Sequence, residues 1–227
     1  MRNVAALERG LRLLLSLNVA DGLRLSDAAR QAGLHKTTAL RLFHTLERLA
    51  FVHRDVDGRY AVGPALYVLA RVVAADRFLA HLVGPALGHL SQATNEASAF
   101  FVRHGEERLC VAAQRGGFPI GYNLRIGELM PLDESAAAQI LRRFATGRPP
   151  GPIDGALATS LGAGDPELAQ IAAPVFEADG RLLGALTLAG TVIRFGAPGH
   201  LPTLQNVVSQ RAAELNAALA PAGASGA

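Results

Sequence analysis

Lys36, Thr37, Thr38, Arg41, His44 and Arg48 recur along one side of a helix-spaced segment, and all of them can donate hydrogen bonds to phosphate oxygens or base edges. Threonine hydroxyls and the amides of a helix start take phosphate oxygens. An arginine fork binds a guanine edge or a phosphate through two bonds at once. Ser26 lies upstream, and Arg54, Arg59 and Tyr60 lie downstream around Asp57-Gly58. The chemistry of the set is recognition of double-stranded nucleic acid. Charge is distributed accordingly: Met1 to Phe78 holds 12 Lys and Arg against 7 Asp and Glu, while Leu79 onward holds 10 against 12. A basic front on a mildly acidic body suits a polyanionic partner at the front.

The elements that must position these groups follow from apolar spacing. Leu7, Leu11, Leu14, Leu15 and Asn18 predict one amphipathic helix from about Val4 to Val19. Gly10 inside it costs about 1 kcal/mol relative to alanine, so packing must compensate. Ser26 is read as the N-cap of a short helix with Ala28, Ala29 and Ala32 on its buried side, and Gly33 ends it. A third helix is expected from Lys36 to Leu49, with Leu42, Leu46 and Leu49 as its buried stripe beside Ala39 and Phe43. Asp57-Gly58 between two alternating segments predicts a hairpin whose tip is flanked by Arg54 and Arg59. Short helix, glycine turn, longer basic helix and hairpin make a winged helix-turn-helix.

The remainder reads as an α+β domain built on an antiparallel sheet. Apolar spacing after Gly63-Pro64 predicts a helical linker, divided near Gly84-Pro85. Strands are expected at Ala97–Val102 and Leu109–Ala113, with a third at Tyr122–Leu124. A helix is expected from Ser135 to Ala145, with Asp133 and Glu134 favouring its positive end. A second hairpin pairs Ala172–Phe176 with Leu182–Ala189, and a last helix covers Pro202 to Ala220. The expected domains are residues 1–63, a linker at 64–78, a second domain at 79–220 and a flexible tail at 221–227.

Composition narrows the function classes. Half the 227 residues are apolar and 18% are charged, enough for packed cores and unlike a disordered chain. No apolar run reaches the roughly 20 residues of a membrane span, and the start of the chain is unlike a secretory signal, so a cytoplasmic location is expected. Cys110 is the only cysteine, in an apolar strand without an activating cation, and reads as an inert buried thiol. His81 and His89 are eight apart, a poor spacing for one helical face, so no metal is expected. The sequence holds no P-loop, Gly-x-Ser-x-Gly, His-Glu-x-x-His or dinucleotide fingerprint, so neither an enzyme nor a cofactor is expected.

The front of the chain resembles the IclR family of bacterial transcriptional regulators. The resemblance is carried by Leu7-Glu8-Arg9-Gly10-Leu11-Arg12, Leu25-Ser26-Asp27-Ala28-Ala29, Gly33-Leu34-His35-Lys36-Thr37-Thr38-Ala39 and Gly58-Arg59-Tyr60-Ala61-Val62-Gly63-Pro64. It resumes at Ile126-Gly127, Pro131, Ser135, Ile171-Ala172-Ala173-Pro174-Val175 and Ala185 to Gly190. It implies a winged helix joined by a helical linker to a GAF-like effector-binding domain, acting as a homodimer or tetramer on a pseudo-palindromic DNA operator, in repression or activation. The DNA-facing residues it implies are Ser26, Lys36, Thr37, Thr38, Arg41, His44, Arg59 and Tyr60. The effector, an organic acid or aromatic metabolite, would meet the amides of Ser135, Ala136 and Ala137, with Gln170, Thr187 and Ala189 on the sheet and Tyr122 beside them.

The sequence departs from the family where Ser135-Ala136-Ala137-Ala138 lacks a glycine. It departs again where the region before Ala172 is short and has no counterpart of an acidic pair. These departures imply an effector less polar than a small keto acid, or none. Two alternatives stand beside the regulator: a DNA-binding protein whose second domain serves only for oligomerisation, and an enzyme or sensor domain fused to a DNA anchor.

Overall fold

Four helices and a two-stranded hairpin make the first of two units in the computed structural model, which describes residues 4–19, 21–74, 78–119, 121–149 and 156–220. The units are Met1–Asp76 and Arg77–Ala227, so the division falls within the expected linker. The expected tail at 221–227 lies outside the described residues.

The first unit runs α1 (Ala5–Leu15), α2 (Leu25–Gln31), α3 (Lys36–Arg48), β1 (Val52–Arg54), β2 (Tyr60–Val62) and α4 (Pro64–Ala74). Its core is Leu13, Leu17, Ala28, Ala29, Ala39, Phe43, Val52 and Tyr60. The phase of α1 differs from the expected one. Gly10 and Leu13 are its buried residues, while Leu7, Leu11 and Leu15 lie exposed with Val4. The leucines of α1 spread over about 200° of the helix at about 100° per residue, so spacing alone could not choose which edge of that arc is buried. Gly10 is buried because α1 crosses close to α3: a Cβ there would sit 3.8 Å from Leu42 Cδ2. On α3, Ala39 and Phe43 are buried and Leu49 is exposed, so the buried stripe lies one step round from the expected leucines.

Ser26 is not the cap of α2. The helix begins at Leu25 behind an extended Arg24, and no side chain caps it. Gly33 has φ +65°, the left-handed conformation that ends the helix and turns the chain toward α3. At the hairpin tip Asp55 Oδ1 accepts the amides of Asp57 and Arg59 at 3.0 and 2.8 Å, and Gly58 has φ +75°. Leu23 adds a bridge to Tyr60, with amide–carbonyl bonds of 2.9 and 2.7 Å.

In the second unit a π-helical turn (Phe78–Val83) leads into α5 (Gly84–Thr94), the division falling at Gly84-Pro85. The sheet follows: β3 (Ala97–His104), β4 (Glu107–Gln114), β5 (Leu129–Pro131), β6 (Ala158–Leu161), β7 (Leu168–Phe176) and β8 (Leu182–Thr191), in spatial order β5-β4-β3-β8-β7-β6 and antiparallel throughout. The helices are α6 (Ala136–Arg143), α7 (Val192–Phe195) and α8 (His200–Leu219). Residues 122–124 form no strand; the strand paired with β4 is β5, further on.

Both sheet faces are covered, which explains why β7 is buried at every position. Phe100, Ile171, Ala173, Val175, Leu186 and Leu188 face one way and pack with Leu87 and Leu90 of α5 and Leu204, Val208 and Leu215 of α8. Ala99, Phe101, Cys110, Ala172 and Ala185 face the other way and pack with Ala136, Ala137, Ile140 and Leu141 of α6. Glu96 at the head of β3 is nearly buried and holds Arg194 of α7 through two bonds of 2.6 and 2.7 Å.

Candidate nucleic-acid interface and buried polar site

Helix α3 turns its core side, Ala39 and Phe43, against α1 and α2 and leaves Lys36, Thr37, Arg41, His44 and Arg48 exposed and Thr38 half-buried. None of the cations among them has a carboxylate partner among the described residues. The contrast with the neighbours is chemical: Arg12 is tied to Glu8 at 2.6 Å and Arg30 to Asp27 at 3.0 Å. His35 precedes α3 with Nδ1 2.9 Å from the Thr37 hydroxyl, which holds that side chain at the helix start. Ser26 is exposed on α2.

On the hairpin the two arginines behave differently. Arg54 folds back, donating from Nε to Gly58 O at 3.3 Å and lying 5.7 Å over the Tyr60 ring. Arg59 is half-buried and has no carboxylate partner among the described residues. Tyr60 is removed from the DNA-facing set. Its ring is 2% exposed and stacks on Phe43 at 3.9 Å, so it is a core residue that anchors the hairpin to α3.

In the second unit the register brings the expected sheet residues together. Gln170 pairs with Ala189, and Ala172 with Thr187, which pairs in turn with Ala99. Alternation then sets Gln170, Thr187 and Ala189 on the α6 side, beside Ser135, Ala136 and Ala137. All six are buried. The donors differ from expectation, however. The Ser135 amide is bonded to Asp133 Oδ1 at 3.0 Å and the Ala136 amide to Ser160 Oγ at 3.0 Å. Two of the three amides assigned to a ligand are therefore used internally, leaving that of Ala137. Thr187 turns its hydroxyl to Ala185 O of its own strand, at 3.4 Å.

A residue missed by the sequence reading completes this neighbourhood. Arg108 of β4 is buried, donating to Asp133 Oδ1 at 2.6 Å and to Pro131 O at 2.7 Å, with its guanidinium 5.7 Å from the Phe101 ring. Burial pushes the Asp133 carboxyl up, but hydrogen bonds from Arg108 and Ser135, with the guanidinium charge, hold it below its ordinary value. Arg108 Nε and Gln170 Oε1 are buried without a hydrogen-bond partner, and the Ser135 hydroxyl is buried beside the Asp133 carboxylate. A relay of contacts connects these residues: Gln170 is paired with Ser160, which caps Ala136; Ser135 precedes it and bonds Asp133, which holds Arg108. Buried polar groups are nearly always satisfied, so Arg108 Nε and Gln170 Oε1 are candidate points of contact for a polar molecule.

Tyr122 lies beside this region, half-buried, in a cleft of about 330 Å³ shared with Ala113, Arg115 and Leu124. Burial, with Asp165 and Glu128 nearby, pushes its phenol up. Cys110 is fully buried, and burial with the Glu128 charge pushes its thiol up to about 11, so it stays protonated at neutral pH.

Residues 6–56 match the IclR helix-turn-helix domain. Over 225 residues the chain is 24% identical to the HTH-type transcriptional regulator KipR of Bacillus subtilis, covering 86% of this chain and 88% of that one. Its fold is shared with an IclR transcriptional regulator from Alicyclobacillus acidocaldarius, with a TM-score of 0.78 at 21% identity over 95% of this chain and 99% of that one. It is shared also with an IclR homologue from Microbacterium hydrocarbonoxydans complexed with 4-hydroxybenzoate, with a TM-score of 0.75 at 19% identity over 94% and 98% of the two chains.

Proposed function

We propose, from the premise that the chain belongs to the IclR family of transcriptional regulators, how it reads DNA and what modulates it. Two copies place their α3 helices in successive major grooves of a pseudo-palindromic operator, about 34 Å or a multiple apart. Lys36, Thr37, Thr38, Arg41 and His44 face the groove, Ser26 meets backbone and Arg59 reaches phosphate from the hairpin. The observation that carries this reading is the run of unpaired cations on α3 beside neighbours that are paired. Pairing of two copies is supported by the apolar residues left exposed on α1 (Leu7, Leu11, Leu15) and on α4 (Tyr67, Val68, Leu69).

The effector is an aromatic acid carrying a hydroxyl, bound between α6 and the sheet by Ser135, Ala137 and Gln170, with Tyr122 at the edge and Thr187, Ala136 and Ala189 shaping the wall. The unsatisfied atoms support that class: Arg108 Nε offers a donor to a carboxylate and Gln170 Oε1 an acceptor to a hydroxyl. Asp133 already answers the charge of Arg108, so the site offers hydrogen bonds rather than net charge. Small keto acids, which depend on charge, gain less there than a ring does. The likeness to a fold complexed with 4-hydroxybenzoate points the same way.

The test is selection of duplexes from a random library by the full chain, followed by titration with 4-hydroxybenzoate, benzoate, pyruvate and glyoxylate. A selected duplex whose affinity falls steeply with salt is expected, and 4-hydroxybenzoate should shift it more than pyruvate or glyoxylate. Tight glyoxylate or pyruvate binding would overturn the effector assignment. Affinity that no acid alters would favour a second unit that only assembles the protein.

A further inference from the structure

The crossing of α1 and α3 leaves a cleft of about 280 Å³ on the outside of the first unit, lined by Ala6, Arg9, Thr38, Arg41, Leu42 and Thr45. Gly10 is buried against α3, with a Cβ there at ordinary contact distance from Leu42, and the residue before it, Arg9, stands at the rim beside α3. Arg9 and Arg41 are both exposed and have no carboxylate partner among the described residues, so two guanidinium groups border one opening. Arg12, three residues from Arg9, has its charge answered by Glu8. The Thr45 hydroxyl hydrogen is taken by Arg41 O at 3.2 Å, so Thr38 is the hydroxyl of the lining that remains to donate.

Going round α3 at about 100° per residue, Thr37, Arg41, His44 and Arg48 form one stripe and Thr38 and Thr45 the next. Arg41 therefore stands where the groove-facing stripe meets the cleft. A duplex seated on that stripe brings a strand of its backbone along the edge of the groove, past the cleft. We propose that the cleft is a seat for a DNA backbone phosphate, held by Arg9 of α1 and Arg41 of α3 with Thr38 as hydroxyl donor. Helix α1 thereby belongs to the DNA interface, with Arg9 as its contact. The seat carries no sequence information, because every phosphate is alike; it fixes how deep α3 sits.

This rests on the DNA-binding reading, and the two can fail separately. The full chain and its R9A, R9K and R12A variants are titrated by fluorescence anisotropy against one selected and one unselected duplex at several salt concentrations. R9A should weaken both duplexes several-fold by the same factor and reduce the salt slope by about one unit. R9K, which keeps the charge, should restore the slope, and R12A should leave it unchanged. Thermal unfolding should be the same for all four, since Arg9 is exposed. A normal chain that holds duplex while R9A keeps the full slope overturns the seat and leaves the reading of α3 standing. Loss of the slope in R12A as fully as in R9A overturns it too, since the effect would then be one of net charge. Failure of the unaltered chain to retain any duplex overturns both.

Discussion

The two units keep their candidate site groups in opposite places. In the first, Lys36, Arg41, His44 and Arg48 stand on the surface above a core of Phe43, Tyr60 and small residues, and nothing in that core depends on them. In the second, Arg108, Ser135 and Gln170 are buried, and Asp133 joins strand β4 to the start of α6 through Arg108 and the Ser135 amide. A partner as large as a duplex can be met from outside by side chains that remain solvated. A small molecule must be surrounded, so the groups that would hold it become part of the core. Candidate site and core are separable in the first unit and entangled in the second.

Three substitutions sharpen or break that contrast. Asp133→Ala should cost about 3 kcal/mol, because it leaves the Arg108 guanidinium buried without its carboxylate. Chemical denaturation read in the second unit measures it. The same pair predicts the pH dependence. The folded-state Asp133 lies below its ordinary value, so its contribution is present above the ordinary carboxylate range and is lost as pH falls through the lowered value. The gap between wild type and Asp133→Ala should therefore close in strong acid. A gap independent of pH would show that packing, not charge, joins β4 to α6.

Gln170→Leu should act in the other direction, stabilising by about 1 kcal/mol, since it removes a buried acceptor that has no donor. It should also abolish any response to 4-hydroxybenzoate, and a stable variant that still responds would take Gln170 out of the site. Arg41→Ala should change stability by less than about 0.5 kcal/mol yet weaken duplex binding. Equal binding in a mobility-shift titration would remove Arg41 from the interface. A large loss of stability there would undo the contrast between the units altogether.

The surface site was the more legible of the two. Lys36 to Arg48 announces itself through residue types that repeat on one side of a helix, and Asp57-Gly58 marks the hairpin by conformational preference alone. What misled was degeneracy. Tyr60 alternates with Val62 in a short strand and can face either way; only the stacking on Phe43 decides. The leucines of α1 spread over more than half the helix, and packing against α3 buries the edge that carries Gly10 and Leu13. Arg108 is two residues before Cys110, which places it on the inward face of the strand, but its partner Asp133 is 25 residues away and resembles a helix-start charge. Short strands such as β5 and β6 take their conformation from neighbours rather than from their own residues.

The junction after the hairpin has a mechanical meaning. Gly63 sits so close to the chain that a Cβ would come within 2.4 Å of Ala50 O, and its amide is bonded to Phe51 O at 2.8 Å. The Ala65 amide, in the first turn of α4, is bonded to Ala50 O at 2.9 Å, just past the end of α3. Helix α4 thus starts from the foot of α3, fixed there by backbone bonds on either side of Pro64. A bulkier residue at 63 would collide with Ala50 O and pry the start of α4 away from the end of α3.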